Sequence, residues 1–333
     1  MIGGGLLAGL AAVFVRSSAD SPRPLIVYCA HDSLYSDAVL QRFRQQTGIP
    51  VTVVHDTEAT KSLGLVNRLI REQQHPRCDV FWNNQVLGTI ELKRRGLLLP
   101  YQGPGYDRIP PRYRDPEGCW TGFAARLRVD IVNTQRMPAT EAAVRKAFAE
   151  NPTRVGMAKP LYGTTLSHYS LLWDLWGPDR LKHWHHDLRN HGLRELPGNA
   201  AVMSLVAGGT LDCGWTDTDD FFVAHDRGDP VAMLPVQVAG DRVILIPNSV
   251  AIIRGTQQRS AAEQLVDFLL SAPTELALAR SKARQIPLGP VEDSAIPAEV
   301  RRLRALVPRG VDLSRLGSAR EACLDWLKQE RQP

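Results

Sequence analysis

No Cys-x-x-Cys pair occurs anywhere in this chain, and its five cysteines, Cys29, Cys78, Cys119, Cys213 and Cys323, stand far apart. That spacing excludes a zinc knuckle and a thioredoxin-type redox site, and the odd number leaves at least one thiol unpaired within a monomer. Cys29, Cys78 and Cys213 fall in apolar, strand-like runs, where a thiol serves as a small core hydrophobe. G-x-S-x-G, a Walker loop and H-E-x-x-H are missing too, which removes the usual signatures of α/β-hydrolases, P-loop nucleotide hydrolases and zinc proteases. Internal repeats and low-complexity tracts are absent. The net charge is +5, yet no basic stripe forms: the densest clusters, Lys93 to Arg95 and Arg301 to Arg304, lie in helical patterns and read as solvated faces, so no nucleic-acid partner is expected.

What is present suits a packed globular protein of one large or two medium domains, with 44% hydrophobic and 23% charged residues. The apolar run Ile2 to Val15 is short for a bilayer span but has the length of a signal h-region, and Ser17-Ser18-Ala19 follows as a small-x-small cleavage pattern. No Lys or Arg precedes the run and Arg16 follows it, so residues 1–22 read either as a signal peptide or as an uncleaved N-terminal anchor. Both imply export to a periplasmic or extracytoplasmic location.

From Pro24 the pattern becomes regular. PLIVYCA is a buried strand, Ser36 to Thr47 an amphipathic helix, VTVVHD a strand, Leu63 to Gln74 a helix and CDVFWNN a strand, with a further helix stopping at Gly96. Such alternation predicts a parallel sheet covered on both faces, with ligands beyond the carboxyl ends of its strands. Trp120 to Asn133 reads as one long extended stretch that carries the chain into a second α/β unit, and DRVILIPNSVAII, from Asp241, as the return. Two such crossings make a hinge. The expected division is 23–126 and 242–290 for one lobe, 127–241 for the other, and 291–333 as C-terminal helices assigned to neither.

Three segments carry candidate chemistry. GWTDTDDFF places Asp217, Asp219 and Asp220 within four positions beside Trp215, either as an acidic first helical turn or as cation-holding groups facing a cleft. A hard cation needs several charged oxygen donors, which Asp219, Asp220, Asp32 and Glu58, with His31, could supply. DTEATKS offers Thr60, Lys61 and Ser62, and YGTTLSH offers Thr164, Thr165 and Ser167, at helix starts suited to an anion. Together they suit a ligand with both signs of charge: a metal with bridging carbonate or phosphate, or a zwitterion such as an aminophosphonate. Tyr28, Trp82, Tyr162 and Trp215 are candidate pocket walls. Crowded like charges repel, so neutralising Asp219 and Asp220 is expected to leave the unliganded protein equally or more stable. HWHHDLRNH puts His183, His186 and Asp187 on one helical face, but with no fourth ligand nearby it reads as an exposed surface.

The ordered set VYCAHDSLYSDAVLQRFRQQTGIPVTVV, HDTEATKSLGLVNRL, CDVFWNN, KPLYGTTLSHY, GWTDTDD and SKARQIPLG resembles the substrate-binding proteins of bacterial ABC importers, specifically the ferric-iron-binding branch of extracellular solute-binding family 1. The resemblance spans nearly all of Leu25 to Pro290. It implies the type II periplasmic binding fold: two α/β lobes, joined by a hinge of crossing strands, closing on a solute that a monomeric binder hands to a membrane permease with its ATPase. It also implies no enzymatic activity and no cofactor, only ferric iron or another metal bound as cargo. Iron-binding members grip the metal with adjacent tyrosines, and the matching positions here are Asp219 and Asp220. Histidine and glutamate ligands of some members match His31 or Asp32 and Asn84. The same architecture hosts thiamine-degrading enzymes with a cleft cysteine, which makes Cys29, beside His31, an alternative nucleophile.

Overall fold

The computed structural model describes residues 23–56 and 63–331. The expected leader, residues 1–22, and the candidate site residues Glu58, Thr60, Lys61 and Ser62 lie outside the described residues.

Strand β1 (Leu25–Cys29), helix α1 (Ser33–Thr47), β2 (Val51–His55), α2 (Leu63–Arg71), β3 (Val80–Asn83) and α3 (Leu87–Arg94) alternate as the pattern predicts. β4 (Leu98–Leu99) and α4 (Pro104–Arg108) lead into the long β5 (Thr121–Asn133). A second run follows with α5 (Glu141–Glu150), β6 (Val155–Ala158), α6 (Gly163–Trp176), α7 (Pro178–Asn190), β7 (Arg194–Leu196), α8 (Asn199–Ala207), β8 (Cys213–Asp217) and α9 (Thr218–Asp226). Then come β9 (Val231–Pro235), β10 (Gln237–Val238), β11 (Arg242–Val243), the return strand β12 (Leu245–Ile253), and helices α10 (Arg259–Leu269), α11 (Ala272–Arg280), α12 (Ala298–Arg304) and α13 (Gly317–Gln329). Among the described residues no helix is long and apolar enough to cross a membrane.

Local chemistry sets several boundaries. Helix α1 stops where Gly48 adopts φ 72°, a left-handed cap that glycine reaches without steric cost. It starts at Ser33, three residues earlier than expected, because the Asp32 carbonyl accepts from the N–H groups of both Tyr35 and Ser36. The return crossing, expected as one strand from Asp241, is split, since Arg242–Val243 pairs with β10 in a small hairpin and the long strand begins at Leu245.

The strands form one mixed sheet in the order β2-β1-β3-β12-β5-β8-β6-β7, with β4 on β12 and β9 on β5. β1 pairs in parallel with β2 and β3, and β6 with β7 and β8, while β5 and β12 run antiparallel to their neighbours. β5 is shared between the two halves: Thr121 to Leu127 pairs with β12, and Arg128 to Asn133 with β8 and β9. The changeover falls between Leu127 and Arg128. Just before it, Ala124 takes φ 41°, a left-handed backbone that costs an L-residue energy unless its surroundings enforce it. They do: its N–H donates to Glu275 Oε1 at 2.8 Å, and the fully buried Glu275 also accepts from Leu288 N, Gly289 N and Arg108 Nη1. Helix α13 ties the halves together from behind. Trp326 packs on Trp173 of α6 at 5.7 Å between ring centroids, and Glu321 meets Arg94 of α3 at 3.0 Å.

Candidate functional site

A cavity of about 50 Å³, room for a few water-sized groups, lies where the two halves face each other at the ends of the strands. One wall is Asp32 and Asn84 after β1 and β3; the other is Lys159, Tyr162 to Thr165, Pro197 to Asn199, and Asp217, Asp219 and Asp220. Arg126 of the shared strand forms part of the lining. Asp219 and Asp220 occupy the first turn of α9, and oxygens of Asp217, Asp219 and Asp220, all three lining the cavity, lie within 4.8 Å of one another.

Two arginines answer these acids. Arg128, fully buried, reaches Asp217 Oδ1 at 2.8 Å and also touches the Thr164 hydroxyl at 3.2 Å and Asn199 Oδ1 at 3.2 Å. Asp217 Oδ2 accepts from the Thr164 hydroxyl at 2.7 Å and Asn199 Nδ2 at 3.0 Å, so both Asp217 oxygens are engaged within the protein. Arg126 lies 3.1 Å from Asp219 Oδ2 through Nε and donates to the Asn84 carbonyl at 2.6 Å and Asn248 Oδ1 at 3.3 Å. Burial alone would depress this guanidinium, but Asp219, Asp217, Asp32 and Asp220 hold its pKa above the ordinary value. Burial first, and then Asp219, Asp32 and Asp220, push the Tyr35 phenol upward. Thr216 Oγ1 donates to Asp220 Oδ2 at 2.9 Å.

Of the sequence candidates, Asp32, Asn84, Thr164, Thr165, Asp217, Asp219 and Asp220 converge on this cavity. His31 lies beneath the floor instead. Its Nδ1 accepts from Asp32 N at 2.7 Å, and its Nε2 meets Gln285 at 2.7 Å. With the Gln285 amide turned to suit its neighbours, the amide oxygen accepts from both His31 Nε2 and Arg126 Nη2, and both ring nitrogens of His31 have partners. Trp215 belongs to an aromatic core with Trp184, Phe148 and His168, and Tyr28 and Trp82 are buried away from the cavity; among the four proposed wall aromatics Tyr162 lines it. Next to Trp215, burial lifts the Asp130 carboxyl to about 7 against the opposing pull of Arg128. Cys29 is fully buried, and desolvation pushes its thiol up to about 12, away from the thiolate a nucleophile needs.

Sequence reasoning passed over Arg126, Arg128, Lys159, Asn199 and Gln285. A signal for the arginines was present: ARLRVD sets two charges two positions apart, on one face of an otherwise apolar strand, and buried charges at that spacing demand paired partners.

No protein-family model matches the chain. It is 25% identical over 214 residues to the Fe(3+)-binding periplasmic protein of Serratia marcescens, covering 63% of this chain and 61% of that protein's length. Iron uptake protein A1 of Synechocystis is 21% identical over 79% of this chain and 76% of its own. Among solved structures, iron-bound HitA of Pseudomonas aeruginosa superposes with a TM-score of 0.79 at 19% identity, over 93% of this chain and all of HitA. The periplasmic binding protein AfuA of Actinobacillus pleuropneumoniae, with fructose-6-phosphate bound, gives 0.75 at 16% identity over 92% of this chain and 98% of its own. The chain has the type II periplasmic binding fold, and the proteins it is similar to in sequence are ferric-iron-binding and iron-uptake proteins of that class.

Proposed function

We propose that the chain is the solute-binding component of an ABC importer, exported to the periplasm as a monomer, which captures ferric iron or another metal with a bridging anion in the cleft between two lobes and delivers it to a permease and ATPase. The observation that carries this reading is the cavity itself. Asp219 and Asp220 converge on one side with Asp32 opposite, and the starts of α6 and α8, with the Thr164 and Thr165 hydroxyls, stand beside them. Hard cations choose such oxygen donors, and helix starts offer N–H groups to an accompanying anion. The iron-related names of the sequence relatives support the same cargo. The lobes are read as residues 23–126 with 242–290, and 127–241.

A second reading, an amine-bearing zwitterion such as an aminophosphonate, is favoured by the arginine partners of Asp217 and Asp219, which reduce the charge left for a bare metal. The buried, protonated Cys29 weighs against a thiaminase-like enzyme. The test is a thermal-shift and calorimetry screen of chelator-treated protein with ferric citrate, other metals with carbonate or phosphate, and 2-aminoethylphosphonate. A ligand at a hundred times its dissociation constant adds about 2.7 kcal/mol to the folded state. If no cationic or zwitterionic solute raises the melting temperature, the cleft reading fails.

A further inference from the structure

Helix α13 carries a buried stripe that an arginine interrupts. Its inward positions run Arg320, Cys323, Leu324 and Leu327, the three-and-four spacing of one helical face, and all four side chains are buried. Arg320 is only 4% exposed, so a guanidinium stands where an aliphatic side chain would complete the stripe. Charges buried this deeply are ordinarily paired. Among the described residues this one is not: its guanidinium enters no hydrogen bond or ion pair, and its Nε is closed off from solvent with no acceptor.

The carboxylates around it are already taken. Arg95 meets Glu91 at 2.5 Å, Arg94 meets Glu321 at 3.0 Å, and Lys328 stands 3.8 Å from Asp325. Four cations, Arg94, Arg95, Arg320 and Lys328, thus face three carboxylates, Glu91, Glu321 and Asp325, and the charge left over is the buried one. Burial lowers the pKa of Arg320 against the pull of Glu91 and Glu321, yet a guanidinium does not release its proton in a protein, so the charge has to be met from outside the chain.

We propose that Arg320 is the anchor of a second ligand site, separate from the cleft, that binds a small oxyanion such as phosphate, sulfate or a short carboxylate. Arg320 lines a cavity of about 100 Å³ between α13, α2 and α3, walled by Leu63, Val66, Ile70 and Leu324, with Arg95 and Lys328 also in its lining. At roughly 30 Å³ for each water, that is room for about three waters or one tetrahedral oxyanion. The guanidinium fork offers such an ion two parallel N–H donors, and the apolar walls limit competition from water. No residue of this cavity lines the one between the two halves. Because Trp326 of the same helix packs on Trp173 of α6, an ion held between Arg320 and the α2–α3 face fastens α13 to the first half while its apolar side holds the second.

The test titrates chelator-treated protein, in chloride buffer, with inorganic phosphate and separately with sulfate. The wild-type melting temperature is expected to rise along a single-site saturation curve. Arg320→Leu, which completes the apolar stripe, is expected to fold and to lose the response. Arg320→Lys keeps the charge but not the fork, and its apparent affinity for phosphate falls by about 10-fold or more, the worth of one hydrogen bond to a charged group. Both variants keep the wild-type affinity for ferric citrate, since neither touches the cleft. Hydrogen exchange on the wild type places the ion even if a variant does not fold: phosphate is expected to slow exchange in α2, α3 and α13. Slowing at the starts of α6 and α8 instead would put the anion in the cleft and overturn the proposal, as would a wild type that ignores both ions or a response retained in Arg320→Leu.

Discussion

Replacing Asp219 and Asp220 by asparagine one at a time separates two contributions that the acidic turn merges. Like-charge crowding alone would have both replacements leave the unliganded protein as stable as before, or more so. In the structure the two positions differ. Asp219 Oδ2 stands 3.1 Å from Arg126 Nε, with the side chains 10% and 3% exposed, so neutralising Asp219 strands a buried guanidinium. Removing one partner of a buried pair costs about 3–5 kcal/mol. Asparagine still accepts a hydrogen bond, and Arg126 keeps the acceptors of Asn84 and Asn248, so the expected cost of Asp219→Asn is smaller, about 1–3 kcal/mol. Asp220 is half-buried and accepts from the Thr216 hydroxyl, as an asparagine oxygen also can. Its loss removes a charge–dipole contribution of about 0.3–1 kcal/mol and relieves repulsion from Asp219, and the two nearly cancel. At about 2–4 °C per kcal/mol, chelator-treated Asp219→Asn melts several degrees below wild type while Asp220→Asn melts with it. Both lose affinity for the cargo, by roughly 30-fold to several thousand-fold, because each strips a desolvated charge partner from the ligand. Differential scanning calorimetry with and without ferric citrate measures both effects. An Asp219→Asn protein as stable as wild type, or an Asp220→Asn protein the less stable of the two, would refute the pairing on which this rests.

Asp130, lifted by burial from 3.8 to about 7, binds its proton more tightly in the folded state, so its contribution to stability declines as pH rises from about 4 to 7; Asp130→Asn, which stays neutral, flattens that slope by up to roughly 2–3 kcal/mol between urea melts at pH 5 and pH 8, and an unchanged slope counts against it. Glu275→Ala, which strands Arg108 and frees the backbone N–H groups of Ala124, Leu288 and Gly289, is expected to destabilise by about 3–5 kcal/mol, with Glu275→Gln less severe; near-wild-type urea midpoints for both would contradict this. Iron-loaded protein is expected to lack a strong red-orange tyrosinate band, because the acids lining the cavity are Asp32, Asp217, Asp219 and Asp220 and the Tyr35 phenol is pushed up by burial and by Asp219; a strong band abolished in Tyr35→Phe or Tyr162→Phe would reverse that expectation.

Much of the architecture was legible because it is written in short-range pattern. Apolar strands such as VYC and VFW, helices closed by Gly48 and Gly96, and the unusually long stretch to Asn133 each follow from neighbours a few positions apart. The cavity-facing acids and hydroxyls were legible for the same reason, since strand ends and helix starts are local features. What was hidden depends on partners distant in sequence. Asp217 looked like a potential ligand until Arg128, 89 positions away, took one of its oxygens. His31 looked like a ligand until Gln285, 254 positions away, took its ring. Trp215 looked like a cleft wall because a strand face does not reveal which aromatics stack on it, and here Trp184 stacks at 5.5 Å. The placement of α13 across both halves depends on Trp173 and Arg94, which no pattern near residue 320 announces.

The insertion of β12 between β3 and β5 has a consequence for the order in which the molecule assembles. The half containing β6, β7, β8 and β9 is built from one uninterrupted stretch after Leu127, and its pairings, from Gly156 with Arg194 to Val129 with Pro235, lie within that stretch and wait for no later segment. The other half has a gap at its centre until residues 245–253 arrive, and those pair with Val80 to Asn83 and with Thr121 to Leu127, more than a hundred positions earlier. Such long-range pairing is slow because loop closure must precede any gain from contact. A chain emerging from its N-terminus therefore completes its second half first, while its earlier strands wait unpaired along one edge for the strand that joins them.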